Sequence, residues 1–329
     1  MTINELFAGF EDKKVLVLGD VMIDSYIFGS KSSSDGVPIL NEKRKEKRLG
    51  GAANVALNLK ALGATPILCS VVGDDHDGRT FERLLEMQGM PNKGIIRSQN
   101  RKTTTKLRVL SGSNQVVQVD SEDVHPLIDL DRKALLNHIT NLSGEADLII
   151  FEDYDKGTIH SEIISETIAI ANKHQIPVVV DPKSKNFLSY VGVTLFKPRM
   201  DELAKYVEGN TRGETDSQVR ATIEQLHTKI RAKNYLVSLD GGDIFFHSDD
   251  LSQLFATHHT GVADMSGVGN AIISIAGLGL TLGLEEEVIA ELSNVAAGVV
   301  AQYSGVVPIS KDQLVKEVTS NLLLKSNLS

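Results

Sequence analysis

The sequence predicts an α/β fold, a three-layer sandwich around a mostly parallel central sheet. Three observations predict it. Short β-branched runs alternate with amphipathic helices along most of the chain, acidic residues sit at the ends of several of those runs, and two stretches that break the rhythm read as small β insertions.

In order, Val15–Leu18 reads as a buried strand ending at Gly19-Asp20, and Ala52–Leu62 as a helix stopped by Gly63. A strand follows over Pro66–Val72 and a helix over Gly78–Gln88. Leu148–Phe151 is a strand ending at Glu152-Asp153, Ser161–His174 a helix, and Pro177–Val180 a strand ending at Asp181. Thr194–Phe196 is a strand with a helix from Asp201; Gln218–Arg231 is a helix and Tyr235–Leu239 a strand. Helices over Gly269–Leu280 and Glu285–Tyr303 close the pattern. Strands alternating with helices imply right-handed crossovers and a sheet covered on both faces. Such sheets bind ligands beyond the carboxyl ends of their strands, where Asp20, Asp24, Glu152, Asp153, Asp181 and Asp240 fall. A strand-end aspartate is equally a common helix cap.

The two exceptions are Tyr26–Leu49 and Lys102–Asp120. In the second, Thr103, Thr105, Leu107 and Val109, then Val117 and Val119, alternate around a Ser111-Gly112-Ser113-Asn114 turn, a hairpin pattern. Insertions at the ligand end of a sheet can serve as a lid. Lys43, Arg44, Lys45, Lys47 and Arg48 stand against only Glu42 and Glu46. They read either as a solvated edge strand guarded against aggregation or as a cationic wall for a phosphorylated substrate.

Composition bounds the rest. A chain of 329 residues with 41% hydrophobic content can build a large core, which excludes a disordered or low-complexity protein. A formal charge of −9 argues against a general nucleic-acid binder. No apolar run reaches the roughly 18 residues of a membrane helix, and Met1–Lys14 lacks a signal-peptide core, so a cytoplasmic protein is expected. Cys69 lies in an apolar strand and reads as a core residue; Asp74–Asp77 reads as a helix cap, Asp249-Asp250 as a turn, and Glu285–Glu287 as the acidic first turn of a helix. The adjacent His258 and His259 face opposite ways on a strand, a poor metal pair.

Two glycine turns carry the chemistry. Gly50-Gly51-Ala52-Ala53-Asn54 opens a helix, and Asn54 can both donate to and accept from a sugar hydroxyl. Asp264-Met265-Ser266-Gly267-Val268-Gly269-Asn270 opens another, where consecutive small residues offer backbone N–H groups to an anion. It is neither a Walker loop nor a dinucleotide fingerprint, and no Gly-x-Gly-x-x-Gly follows the first strand, which disfavours an oxidoreductase. Taken singly, each turn is also explained by tight helix packing.

Together with the early Gly-Asp strand end, these turns resemble the ribokinase-type sugar kinase family over nearly the whole chain. A nearer resemblance is to its members that phosphorylate a heptose 7-phosphate at the anomeric hydroxyl. It rests on Gly19–Asp24, Gly50–Leu59, Asp153–Gly157 and Asp181-Pro182-Lys183. The resemblance implies one sugar-kinase domain with a β lid formed near 26–49 and 102–120. It also implies ATP and Mg²⁺ as co-substrate and metal, and a homodimer joined through the lids. Those kinases are often fused to an adenylyltransferase; no His-x-Gly-His site occurs here, so no such domain is expected within these residues.

The implied roles are specific. Asp24, Gly50, Gly51, Asn54, Asp153 and Lys156 would bind the phosphosugar; charge alone suggests that Lys156 and the basic stretch meet its phosphate. Lys197, Arg199, Glu202, Ser238 and Asp264 would bind the nucleotide, with Asp181 and Glu202 toward the metal. Gly267, Val268 and Gly269 would form the anion hole. The next residue should be the aspartate that takes the proton from the attacking hydroxyl, and it is Asn270. An amide cannot take that proton, and loss of a general base typically costs about 10²–10⁴-fold. Arg199-Met200-Asp201-Glu202 departs from the family's Asn-x-x-Glu, Met265 replaces a threonine, and Ser32–Pro38 keeps little of a proline-containing lid segment. Two expectations follow: an ATP-dependent phosphosugar kinase with an impaired base, or an inactive homologue that senses a sugar phosphate or nucleotide.

Overall fold

The computed structural model describes residues 1–32, 39–112, 114–208, 215–257 and 265–328. In chain order the elements are α1 (Ile3–Glu11), β1 (Lys14–Gly19), β2 (Val21–Lys31), β3 (Leu40–Gly51), α2 (Ala52–Ala61), β4 (Thr65–Gly73), α3 (His76–Met87) and β5 (Ile95–Ser98). Then come β6 (Thr105–Ser111), β7 (Asn114–Ser121), α4 (Asp129–Ser143), β8 (Leu148–Glu152), α5 (Ser161–His174), β9 (Val178–Asp181), β10 (Leu195–Phe196) and α6 (Met200–Leu203). The last are α7 (Asp216–Ile230), β11 (Asn234–Ser238), β12 (Ile244–His247), β13 (Ser252–Phe255), α8 (Val268–Thr281), α9 (Glu286–Ala301), α10 (Lys311–Ser320) and α11 (Leu322–Asn327).

Period-2 alternation within the apolar runs builds the three layers. Val15 and Val17 of β1 join one buried cluster, Leu16 and Leu18 the other. In β8, Leu148 and Ile150 divide from Ile149 and Phe151 in the same way. Both faces of the strands are therefore buried, which is why these runs contain no polar position. Among the described residues nine strands form the large sheet, in the order β13-β12-β11-β10-β9-β8-β1-β4-β5. The strands from β11 to β5 pair in parallel; β12 and β13 pair antiparallel and close one edge.

The insertions pair with each other rather than with the large sheet, giving a four-stranded sheet β3-β2-β6-β7. The β6–β7 hairpin sets Leu107 against Val119 and Val109 against Val117. The basic stretch lies on β3, an edge strand. There the period of 2 separates Arg44, Glu46 and Arg48, which form ion pairs, from Lys47, which pairs with Asp77 of α3 at 2.9 Å.

Several elements lie outside the sequence reading. Helix α4 buries Asp131, Leu135, Ile139 and Ser143, and two polar side chains in that stripe mask its apolar period. Helix α1 is short and held by a capping box between Thr2 and Glu5. Asp75 caps α3 by accepting from the Gly78 N–H at 2.6 Å, and Cys69 is fully buried. His258, His259, Asp264 and the segment 33–38 lie outside the described residues.

Candidate active site

The large sheet ends its strands around a cavity of about 430 Å³. Glu152 closes β8 and Asp181 closes β9; the parallel register sets them side by side, and both line the cavity. Lys197 and Arg199 follow β10, Ser238 ends β11, and the first turn of α8 brings Val268, Gly269 and Asn270 to the same cavity. Gly267 starts that helix at φ +83°, a conformation that favours glycine. The α8 N-terminus thus faces the cavity with the first-turn N–H end that suits an anion. A Cβ on Gly269 would sit 3.4 Å from both Asp181 Oδ2 and Lys197 Nζ, so this turn lies close over that ion pair.

Ion pairs neutralise most of the cavity's charge. Lys197, buried, pairs with Asp181 at 2.7 Å. Lys183 pairs with Glu202, whose other carboxylate oxygen accepts the Arg199 backbone N–H at 3.0 Å. Burial alone would lower the Lys183 pKa; Asp181 and Glu202 outweigh it and hold the ammonium above its ordinary value. The Arg199 side chain is turned to Asp201 through Nε at 3.0 Å. Glu152 is pushed well above the carboxylate range by burial and by Asp181. Its Oε2 and the Ser238 Oγ are buried with no hydrogen-bond partner among the described residues. Two polar atoms in this condition on one cavity wall are ready to meet a polar ligand.

Asn270 is built into a chain of amides. Its Nδ2 donates to Asn54 Oδ1 at 2.9 Å, and its Oδ1 accepts from the Tyr154 hydroxyl at 3.2 Å. Asn58 Nδ2 also donates to Asn54 Oδ1, at 3.1 Å, and Asn58 Oδ1 accepts the Ile309 N–H at 2.8 Å. Asn54 Nδ2 remains buried without a partner among the described residues. Burial and Glu152 raise the Tyr154 phenol well above its usual range, so it acts as a donor and not as a base.

The other sequence candidates divide. Asp24 on β2 pairs with Arg108 of β6. It also lies against Gly50, where any Cβ would collide with its Oδ2. Gly51 holds φ +60° ahead of α2, which carries Asn54. Asp153 lines the cavity, yet its carboxylate accepts from Tyr190 at 2.7 Å, Asn186 at 2.9 Å and the Asp155 N–H at 2.8 Å. Burial and Asp20 raise it to about 6. Lys156 does not line this cavity, and neither do Asp24, Gly50, Gly51 or Asn54; the Lys156 Nζ pairs with Glu122 at 2.7 Å.

Four contributors lacked an assigned role in the sequence reading. Asp20 accepts the backbone N–H groups of Tyr154, Lys156 and Thr158, at 2.9, 3.0 and 3.0 Å, and so holds the loop after β8 in shape. Tyr154 orients Asn270, Lys183 neutralises Glu202, and Arg108 neutralises Asp24. Alternation within β6 was the one available signal for Arg108. With Arg48 it flanks Tyr26, the guanidinium carbons lying 5.5 and 5.0 Å from the ring centroid.

The donor set suits a hard divalent cation such as Mg²⁺, since Glu152 and Asp181 line the cavity with oxygen alone and one Glu152 oxygen has no hydrogen-bond partner among the described residues; Glu202 does not line it. No group of three or more ligating side chains surrounds one point among the described residues.

Residues 12–313 match the pfkB family carbohydrate kinase. Among curated relatives, the bifunctional protein HldE of Syntrophotalea carbinolica is 31% identical over 317 residues, 95% of this chain and 64% of that protein. HldE of Helicobacter acinonychis is 35% identical over 297 residues, 89% of this chain and 64% of its own length. This chain therefore spans just under two thirds of the relatives it matches. Among solved structures, Escherichia coli phosphofructokinase-2 in complex with potassium superposes with a TM-score of 0.79 at 18% identity, covering 94% of this chain and 98% of that one. Arabidopsis thaliana ribokinase complexed with ribose and ATP gives 0.72 at 18% identity, covering 92% and 98%. The ribokinase-type fold expected from the sequence is the fold observed.

Proposed function

This chain belongs to the pfkB family of carbohydrate kinases, and from that premise we propose an ATP-dependent phosphosugar kinase whose phosphoryl transfer is slowed by the amide at position 270. The observation that carries the reading is the α8 N-terminus facing a cavity lined by Lys197, Lys183 and Arg199, with Asn270 in its first turn. Backbone N–H groups and Lys197 would receive the transferred phosphoryl group, and Ser238 and Arg199 the rest of the nucleotide. Mg²⁺, when bound, neutralises phosphate oxygens. Asp24 and Asn54 would orient the sugar, and Arg108 and Arg48, paired here with Asp24 and Glu46, would turn toward the phosphate of a phosphorylated sugar.

The phosphosugar is assigned as heptose 7-phosphate, phosphorylated at the anomeric hydroxyl. The four sequence stretches that resemble such kinases support it, as do the HldE relatives. The small sheet would act as the lid over the sugar and as the face through which two copies pair. Every residue of its edge strand β7 is exposed, including Val116, Val117 and Val119. Among the described residues no helix is long and apolar enough to cross a membrane, and cytoplasmic work on a soluble sugar phosphate is consistent with that.

One observation favours a second reading. Asn270 is engaged on both sides, by Tyr154 and by Asn54, leaving an amide fixed in place where a base is needed. In that case the protein binds its ligands without turnover, as a sensor or regulator. Thermal denaturation with heptose 7-phosphate, ATP·Mg²⁺ and both together tests the shared ground of the two readings. Stabilisation by each ligand is expected, and an unchanged melting temperature with all of them would overturn both. ADP release then separates the two.

A further inference from the structure

The buried amides at the α8 N-terminus have a fixed polarity, and its source is Asn58. Asn54 and Asn58 stand one turn apart on α2, and both are fully buried. The Ile309 backbone N–H can only donate, so the Asn58 atom that meets it at 2.8 Å is Oδ1. Nδ2 is therefore the other end of that amide. Its two hydrogens go to Asn54, to the backbone carbonyl at 2.9 Å and to Oδ1 at 3.1 Å. Asn54 Oδ1 accepts a second hydrogen bond, from Asn270 Nδ2 at 2.9 Å, and both its lone pairs are then used. What remains of the Asn54 amide is Nδ2, buried with no partner among the described residues. A buried donor without an acceptor is costly, and a ligand oxygen would complete it.

We propose that Asn58 is a positioning residue for the sugar end: it holds the Asn54 carbonyl toward position 270 and leaves only the Asn54 NH₂ group to a ligand. Asn54 then reads a ligand oxygen that accepts a hydrogen bond, and it cannot accept one from a hydroxyl. The same order runs on to Tyr154, because Asn270, with its Nδ2 on Asn54, turns Oδ1 to the phenol. It would also serve an acid at position 270. Once such an acid has taken the proton of the sugar hydroxyl, its new O–H would donate to the Asn54 carbonyl. The identity of the ligand rests on the kinase reading; the polarity of the amides does not.

The polarity is tested first without ligand, by a double-mutant cycle in chemical denaturation with Asn58→Leu and Asn270→Ala. The loss in the folding equilibrium constant caused by Asn270→Ala should be at least about fivefold smaller in the Asn58→Leu background than in the unmodified chain. Additive losses would overturn the proposal. Calorimetry then reads heptose 7-phosphate and ATP separately. Asn58→Leu should weaken the phosphosugar by at least about tenfold and ATP by no more than about twofold. Asn58→Asp keeps an acceptor for the Ile309 N–H but has no donor for Asn54, and should lose as much. Leu59→Ala, on the same helix and equally buried, should lower the melting temperature yet leave phosphosugar affinity within about twofold. Unchanged phosphosugar affinity in Asn58→Leu, or an equal loss in Leu59→Ala, would overturn the positioning role. If the cycle shows the coupling and the unmodified chain binds no heptose 7-phosphate, the amide order stands and the kinase reading falls. If the phosphosugar binds equally well to the unmodified chain and to both Asn58 variants, the proposal falls and the kinase reading stands.

Discussion

The carboxyl ends of the large sheet and the four-stranded sheet both pair acids with cations, but they differ in how much of each sheet is exposed. At the large sheet, Lys197 meets Asp181 and Lys183 meets Glu202 under strands whose two faces are already filled by apolar side chains. The small sheet has charged residues on both edge strands, and β7 is exposed along its whole length. The large sheet completes itself within one chain. The small sheet carries Arg108, Arg48 and Tyr26 beside Asp24, together with exposed valines, and these suit a ligand and a partner. In the proposed kinase, chemistry that demands fixed geometry would sit on the first and recognition, which tolerates movement, on the second.

Substitutions sharpen that contrast. Phe151→Ala in β8 should destabilise the chain by about 3–5 kcal/mol, because it empties a buried aromatic site, whereas Val117→Ala in β7 should stay within about 0.5 kcal/mol for the single chain. Chemical denaturation measures both, and equal losses would mean that the small sheet shares the core's packing. Arg108→Ala should weaken sugar-phosphate binding by at least about tenfold and leave ATP binding unchanged, since it removes the partner of buried Asp24 at the sugar end only. Calorimetry with each ligand checks this, and parallel losses would erase the division between the two ends.

Smaller effects follow. If two copies pair through β7 as proposed, Val119→Lys should convert that dimer to a monomer in sedimentation without shifting the melting temperature of dilute protein by much; a dimer that survives it pairs through another face. Burial pushes the Cys69 thiol up to about 12, so at pH 8 it should be almost wholly protonated and slow to alkylate in the folded chain. Fast alkylation under native conditions would show that β4 opens readily.

Six strands of the large sheet, β1, β4, β8, β9, β10 and β11, were legible as short apolar runs, four of them ending in a glycine or an acid; β5, β12 and β13 were not read. The boundaries of Ser161–His174 agree with the observed α5. The hairpin of β6 and β7 was legible for the same reason, through its alternation. Pairings that depend on strand order were not. Asp24 meets Arg108 across 84 positions and Asn270 meets Asn54 across 216, and no local pattern links them. Lys156 illustrates the reverse: its charge alone suggested a role at the sugar phosphate, and Glu122, from the segment after β7, pairs with it. Glu152 was visible only as one strand-end acid among several; its unpartnered oxygen is a property of packing.

The direct test of the central claim is the rate of ADP release with ATP, Mg²⁺ and heptose 7-phosphate, for the unmodified chain beside Asn270→Asp. A carboxylate held by Tyr154 at the start of α8 should raise the rate by about 10²–10⁴-fold, with the sugar KM changed far less. Equal rates in the two proteins, whether both fast or both absent, would contradict the view that position 270 is where this kinase site is limited.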